Sequence, residues 1–294
     1  MTDARVLITG GGGQLASDLE ALLNGAAEVL APAHAELDIT DDGAVDSVFA
    51  TLRPTFVFNC AAFHNVEVCE REEDSAFAVN ARAVKRLATR CASADAQFVH
   101  LSTNYVFDGT HDAPYGEDAE PSPRSIYAIS KLAGEHAALA YAPRALVVRT
   151  AGLYGLHGSA SKGGNFVTRM IARAQEQGAL KVVADQRLTP TFTADLAAGI
   201  LAAVEADITG LLHLTNAGET SWHGFTEAIM ELAGIEVPVE AGLTTIAPGA
   251  ADRPLNGVLV SSVAERAGLA PLRPWRTALQ DYLERAGLLT GAAA

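Results

Sequence analysis

Residues 4–16 read ARVLITGGGGQLA: an apolar run of strand length, four consecutive glycines and the opening of a helix-period segment. Glycines at such a turn let the backbone bend sharply and approach a pyrophosphate, whose charge settles on the free N–H groups of the helix start. Two registers fit, Gly10-x-x-Gly13-x-x-Ala16 and Gly11-x-Gly13-x-x-Ala16. The loop points to a dinucleotide without saying which. Outward from it, 27–31 (AEVLA), 55–62 (TFVFNCAA), 96–102 (AQFVHLS) and 144–150 (RALVVRT) read as strands. Residues 41–52, 73–92 and the segment around Tyr127 read as helices between them. Strands with no polar face, alternating with helices, predict a parallel sheet covered on both sides. The fold class is α/β, a Rossmann-type doubly wound parallel sheet.

After Gly155 the texture changes. Residues 157–165 form a Gly/Ser loop, mobile by composition. Helices over 166–178, 193–206, 221–234 and 274–287 follow, with strands over 180–185 and 210–216. The pattern predicts an NAD(P)-binding domain over 1–155 and a smaller, mostly helical substrate-binding lobe over 156–294. Some elements of the second half cross over and supply a last strand or two to the sheet.

The bulk numbers exclude several classes. Among 294 residues, 49% hydrophobic and 19% charged, no run approaches the ~20 apolar residues a membrane span needs. The first residues lack a basic region followed by a long apolar core, so the cytoplasm is the expected address. A net charge of -14 argues against a broad surface for nucleic acid, though not against a small anionic ligand. Cys60, Cys69 and Cys91 are scattered, with no Cys-x-x-Cys pair, and read as small buried or half-buried residues. No acidic cluster marks a metal site.

The chemistry concentrates in 99–137. Ser102 and Thr103 close an apolar run, at the carboxyl end of a strand where ligands bind in open parallel sheets. Tyr127 and Lys131, spaced i, i+4, share one helix face. A tyrosine whose pKa is lowered by a nearby cation exchanges protons near neutral pH. Alone the pair is a surface pair, and a Ser-Thr pair alone is a turn or cap. Beside a dinucleotide loop the set reads as short-chain dehydrogenase/reductase chemistry. The end of the second strand, where an acid selects NAD and an arginine NADP, holds Ala31, Pro32, Ala33 and His34 and leaves NADH or NADPH open. Asp38-Ile39 lies where the chain flanks an adenine, with helix capping an equal role for Asp38. Asn59-Cys60-Ala61-Ala62 supplies small side chains for close approach of a cofactor, or for tight helix–sheet packing. Asn80, in a helix that disfavours it, fixes backbone geometry near the site.

These segments together resemble the dTDP-4-dehydrorhamnose reductase family, extended short-chain dehydrogenase/reductases of nucleotide-sugar metabolism. The resemblance runs along nearly the whole chain: ITGGGGQLASDL, ELDITD, RPTFVFNCAAF, AVNARAV, LSTNYVFDG, IYAISKLAGE, then RTAGLYG, GGNFVTRMI, VVADQRLTPTFTADLA, GLLHLTNAGETSW and ADRPLN. It implies a catalytic set of Thr103, Tyr127 and Lys131. It implies NAD(P) contacts, from NADPH or NADH, at Gly10, Gly13, Gln14, Leu15, Asp38, Ile39, Ala61, Ala62, Tyr127 and Lys131. His64 falls on a further such position, where the family commonly has threonine. Asn104, Tyr105, Asn165, Thr191 and Arg253 fall on the sugar-nucleotide side.

The reaction implied is reduction of the 4-keto group of a dTDP-4-keto-6-deoxyhexose, dTDP-4-dehydrorhamnose first among them. A homodimer is compatible with the family. Two departures concern the sugar pocket: Asn104 stands where the family has an acid, and Ala151-Gly152-Leu153 where an aromatic is frequent. Sister dehydratases need an Asp-Glu pair after the threonine, whereas Asn104 and Tyr105 are uncharged. Reduction of a different 4-keto deoxysugar stays open. So does a non-catalytic NADP-binding role, like that of a homologue that regulates methionine adenosyltransferase.

Overall fold

The sheet is assembled from short apolar runs whose alternate residues face opposite layers, and its order decides where a ligand can sit. In the computed structural model, which describes residues 4–157, 164–245 and 250–289, the first half runs as follows. β1 (Arg5–Thr9), α1 (Gln14–Leu23), β2 (Glu28–Leu30), α2 (Asp42–Leu52) and β3 (Phe56–Asn59) come first. Then come α3 (Val66–Cys69), α4 (Glu73–Phe77), a π-helical stretch (Ala78–Ala83), α5 (Val84–Ser93) and β4 (Gln97–Thr103). A 3-10 turn (Asn104–Val106) precedes α6 (Ile126–Tyr141), β5 (Ala145–Thr150) and β6 (Leu153–Tyr154).

The second half holds α7 (Phe166–Gln177), β7 (Leu180–Val183), β8 (Arg187–Leu188), β9 (Thr191–Phe192), α8 (Thr193–Glu205), β10 (Gly210–His213) and β11 (Thr220–Ser221). It ends with α9 (Trp222–Ala233), β12 (Val239–Gly242), α10 (Ser262–Arg266) and α11 (Trp275–Arg285). The expected loop over 157–165 lies largely outside the described residues.

The six-stranded sheet has the order β10-β5-β4-β3-β1-β2, every pair parallel. Chain order reverses between β1 and β3, the switch point at which doubly wound sheets open a crevice beyond their carboxyl ends. Val6, Ile8, Val99, Leu146 and Val148 pack under α1 and α8, while Leu7, Val57, Phe98 and Val147 pack on the α5–α6 side. From the second half, α8 enters the first layer and β10 pairs with β5. Among the described residues β7, by contrast, pairs only with β12, and β6–β9 and β8–β11 make further two-stranded pieces. α7, α9 and α11 close over a core of Tyr154, Phe192, Phe225 and Tyr282.

One predicted helix is interrupted. Over 73–92 the pattern predicts a continuous helix, but Ala78–Ala83 is π-wound. Asn80 accounts for it. Its Oδ1 accepts from Phe63 N–H at 2.9 Å, while Nδ2 donates to Phe63 O at 2.9 Å and to Ser130 Oγ at 3.0 Å. The side chain ties the bulge to the segment after β3 and to α6, in keeping with the concentration of π-bulges at functional sites. Gly134 permits the approach, since a Cβ there would lie 2.1 Å from Asn80 O. Gly134→Ala should therefore push α6 off the bulge and destabilise the protein by about 1–3 kcal/mol. Chemical denaturation reads the loss, and an unchanged midpoint would show that the two elements separate freely.

Candidate active site

The glycine loop occupies the switch point. Gly10 adopts φ +77°, and a Cβ on it would lie 2.9 Å from Ala61 N. A Cβ on Gly11 would lie 2.0 Å from Ala31 O, because Gly11 N–H donates to Pro32 O at 2.9 Å. Gly13 is the N-cap of α1 and brings no side-chain cap, which leaves the first N–H groups of α1 turned to the crevice. Gln14 Oε1 is buried with no hydrogen-bond partner among the described residues. A cradle of glycines, uncapped N–H groups and an idle amide fit the pyrophosphate of a dinucleotide.

The remaining cofactor candidates divide by what their side chains do. Leu15 and Ile39 are core residues, so only their backbone can meet a ligand. Asp38 Oδ1 accepts from Thr40 N–H and Oγ1, both at 2.8 Å, and the backbone bond chiefly holds its carboxyl below the ordinary range. The cap of α2 is Asp41, not Asp38. Ala61 and Ala62 are half-buried beside the loop, and His64 Nδ1 lies 3.3 Å from Ala62 O. His34, exposed after β2, acts on Asp38 by its charge.

β4 delivers Thr103 to the next position along the crevice. Its Oγ1 accepts from Tyr105 N–H at 3.2 Å and lies 3.4 Å from Asn104 Oδ1. α6 brings Tyr127 to the same spot, because its start is held twice. Ser125 Oγ caps Ala128 N–H at 3.3 Å, and Glu70 Oε1 takes Ile126 N–H at 2.8 Å. Burial pushes the Tyr127 phenol above its ordinary pKa, opposed by a hydrogen bond with Thr103. Tyr105 meets the Tyr127 ring edge-on at 5.8 Å.

Lys131 lies one turn further, 3% exposed. Its Nζ donates to Leu101 O at 2.5 Å and lies 3.4 Å from His100 Nε2. Burial brings it down to about 8, against the upward pull of Glu135 and then Cys60. This corrects the expectation of a phenol acidified by a neighbouring cation. The ammonium is turned to Leu101 and His100, so Tyr127 keeps its proton.

The sugar-side candidates do not all converge. Arg253 hydrogen-bonds Tyr105 and pairs with Glu67 at 2.7 Å, which places it beside Tyr127. Asn104 Nδ2 donates to Gly257 O at 3.0 Å and so ties the 3-10 turn to the segment that carries Arg253. An acid in its place would meet that carbonyl as an acceptor. Asn165 caps α7, and its Nδ2 donates to Gly155 O and Tyr282 Oη, both at 2.8 Å, so both amide protons are engaged inside the lobe. Thr191 is fully buried in β9, its hydroxyl donating to Thr189 O at 3.3 Å.

Two charged groups beneath the site, Glu135 and Arg149, escaped the sequence reading. Glu135 on α6 receives Arg149 Nε at 2.8 Å, Arg149 Nη2 at 2.6 Å and Ser102 Oγ at 2.5 Å. A Lys-x-x-x-Glu spacing is the only local signal for it, and that spacing is commonplace on exposed helices.

The profile of the RmlD substrate binding domain family matches residues 4–287. The chain belongs to this family. A dTDP-4-dehydrorhamnose reductase of Mycolicibacterium smegmatis is 42% identical, covering 94% of this chain and 84% of its own. A dTDP-4-keto-6-deoxy-D-glucose reductase of Streptomyces niveus is 41% identical, over 95% and 96%. Among solved structures, the dTDP-4-dehydrorhamnose reductase of Bacillus anthracis in complex with NADP superposes with a TM-score of 0.91. It is 32% identical and covers 97% of this chain and 99% of that one. No helix among the described residues of this family member is long and apolar enough to cross a membrane.

Proposed function

We propose that the protein reduces the 4-keto group of a dTDP-4-keto-6-deoxyhexose with NADPH or NADH, dTDP-4-dehydrorhamnose being the first candidate. The observation that carries this reading is the meeting of Thr103 and Tyr127 beside an uncapped glycine loop, with a buried lysine one turn on. Relatives named for this reaction and a neighbour that holds NADP support it.

Bound at the loop, the cofactor supplies a hydride for the sugar C4. Gly10, Gly13 and the first N–H groups of α1 would hold the pyrophosphate, with Gln14 beside it. Asp38 and Ile39 would flank the adenine, and Ala61, Ala62 and His64 would be further contacts of the dinucleotide. Tyr127, protonated because burial raises its pKa, donates its phenolic proton to the oxygen that becomes the alcohol. Thr103 holds and polarises that oxygen. The Lys131 N–H left over from Leu101 O and His100 would reach the nicotinamide ribose. On the sugar side Tyr105 and Arg253 are the best-placed side chains. Asn104 acts through the segment it fastens. The division into a dinucleotide domain over 1–155 and a substrate lobe over 156–294 belongs to this reading.

Relatives of nearly equal identity carry names for different 4-keto sugars, so the sugar must be found by measurement. A panel of dTDP-4-keto sugars, each with NADPH and with NADH, followed by NMR of the product at C4, tests the proposal. Oxidation of the nucleotide with formation of a C4 alcohol is expected. Tight NADPH binding without turnover on any sugar would favour a cofactor-binding module instead.

A further inference from the structure

His100 is fully buried in β4, and nothing in the reaction above uses it. Its ring nonetheless joins two polar groups of different kinds. Nδ1 lies 3.0 Å from Asn59 Nδ2, and Asn59 Oδ1 takes the Thr9 hydroxyl at 2.6 Å. Nε2 lies 3.4 Å from Lys131 Nζ. Thr9 pairs with Asn59 across β1 and β3, and Asn59 pairs with His100 across β3 and β4. A polar row therefore crosses three strands beneath the glycine loop and ends on the lysine. Thr9 is 1% exposed, Asn59 and His100 0%.

An ammonium carries three N–H bonds. Lys131 gives one to Leu101 O and faces His100 Nε2 with a second. The third is left for the crevice. We propose that His100 is a positioning residue for the reduction: its Nε2 holds the Lys131 ammonium, and Asn59 and Thr9 behind it reverse their hydrogen bonds whenever the lysine gains or loses a proton. The inference rests on the reductase reading.

The imidazole is neutral, because burial and then the charge of Lys131 hold its pKa well below the ordinary value. With Lys131 charged, Nε2 must accept. Nδ1 then carries the proton and donates to Asn59 Oδ1, and Asn59 Nδ2 donates to Thr9 Oγ1. With Lys131 uncharged, Nε2–H donates to the amine, Nδ1 accepts from Asn59 Nδ2, and the Thr9 hydroxyl donates to Asn59 Oδ1. The two patterns share their heavy-atom sites and differ in which imidazole nitrogen carries its single proton and in which way the Asn59 amide is turned. In both, Nε2 and the lysine nitrogen satisfy each other, which an apolar wall would not do for the ammonium.

The other groups that face Lys131 are accounted for. Glu135 of α6, paired with Arg149 of β5, favours the charged lysine. Cys60, after β3, has its own thiol pushed up to about 12 by burial and stays neutral at the pH of interest. Tyr127, one turn earlier, keeps its proton. His100 is the remaining acceptor side chain, so its removal acts on the charged form.

The chain has four lysines, which makes a 13C NMR titration of lysine Cε tractable in the intact protein. The Lys131 midpoint is expected near about 8 in the parent. In His100→Leu it should fall by about one pH unit, and NADPH affinity by about twofold at neutral pH and about tenfold at about pH 9. His100→Gln, whose side-chain oxygen accepts from the ammonium, should restore the midpoint to within about 0.3 units of the parent. Asn59→Asp, which keeps the histidine and can only accept from Nδ1–H, fixes Nε2 as the acceptor; it should raise the midpoint, and serves if His100→Leu does not fold. A parent-like midpoint in His100→Leu, a midpoint in Asn59→Asp that does not rise, or a Gln variant that behaves as Leu does, overturns the proposal. If the parent fails to bind NADPH at all, the reductase reading falls, while the Cε midpoints still report on His100.

Discussion

Tyr127→Phe is expected to lower kcat for ketone reduction by about a thousandfold, with the NADPH dissociation constant within about twofold of the parent. The phenol is the one acid in hydrogen-bonding contact with Thr103 at the mouth of the crevice, and burial keeps it protonated well above neutral pH. Reduction needs that proton on the tyrosine at the start of the cycle, so a raised pKa serves the forward direction. Phenylalanine keeps the ring and its edge-on contact with Tyr105, which isolates the hydroxyl as the variable. Single-turnover oxidation of bound NADPH measures the chemical step, and fluorescence titration measures the binding. A variant that turned over within tenfold of the parent would move the acid elsewhere, with Tyr105 the nearest phenol.

The pH profile adds a sign. Lys131 loses its charge as pH rises through about 8, so an interaction that needs the ammonium is present below that value and fades above it. Tyr127, raised by burial, does not ionise in that range. An alkaline limb near that pH therefore reports the lysine, and it should survive in the residual activity of Tyr127→Phe.

How far the sequence reveals these features depends on whether the cause is local. Four glycines after a five-residue apolar strand have one ready explanation, and the strand–helix alternation leaves little choice of sheet. Tyr127 and Lys131 are legible because one helix turn relates them. Asn80 was legible as an oddity, and the structure supplies its partners, Phe63 and Ser130. Partners distant along the chain leave no such trace. The engagement of Asn165 with Tyr282 and of Asn104 with Gly257 joins segments that no periodicity connects. The direction of the Tyr127 shift was likewise out of reach, since i, i+4 spacing sets a face and not where an ammonium points. The carbonyl of Leu101 decides that.

Glu135 is the clearest of these hidden residues, and Glu135→Ala should cost about 3–5 kcal/mol of stability. Both members of the Glu135–Arg149 pair are about 3% exposed, and the carboxylate takes two guanidinium bonds and the Ser102 hydroxyl. Its removal strands a buried positive charge whose Nη1 already lacks a hydrogen-bond partner among the described residues. The face of Phe107, 5.1 Å from the Arg149 guanidinium, offers only partial relief. The double replacement Glu135→Leu with Arg149→Met removes both charges and should recover most of the loss, because desolvation of the pair then no longer has to be offset. Urea denaturation of the parent, Glu135→Leu, Arg149→Met and the double variant closes the cycle, with Glu135→Ala measured beside them. If Glu135→Ala costs less than about 1 kcal/mol, water reaches the pair and it behaves as a surface bridge. A large single loss with recovery in the double variant instead shows that α6 is held to β4 and β5 by a charge pair that packing alone can replace. In that case the pair's remaining consequence falls on Lys131, one turn away on the same helix, whose charged form Glu135 favours. The double variant should then fold well and still lose its alkaline limb at a lower pH than the parent.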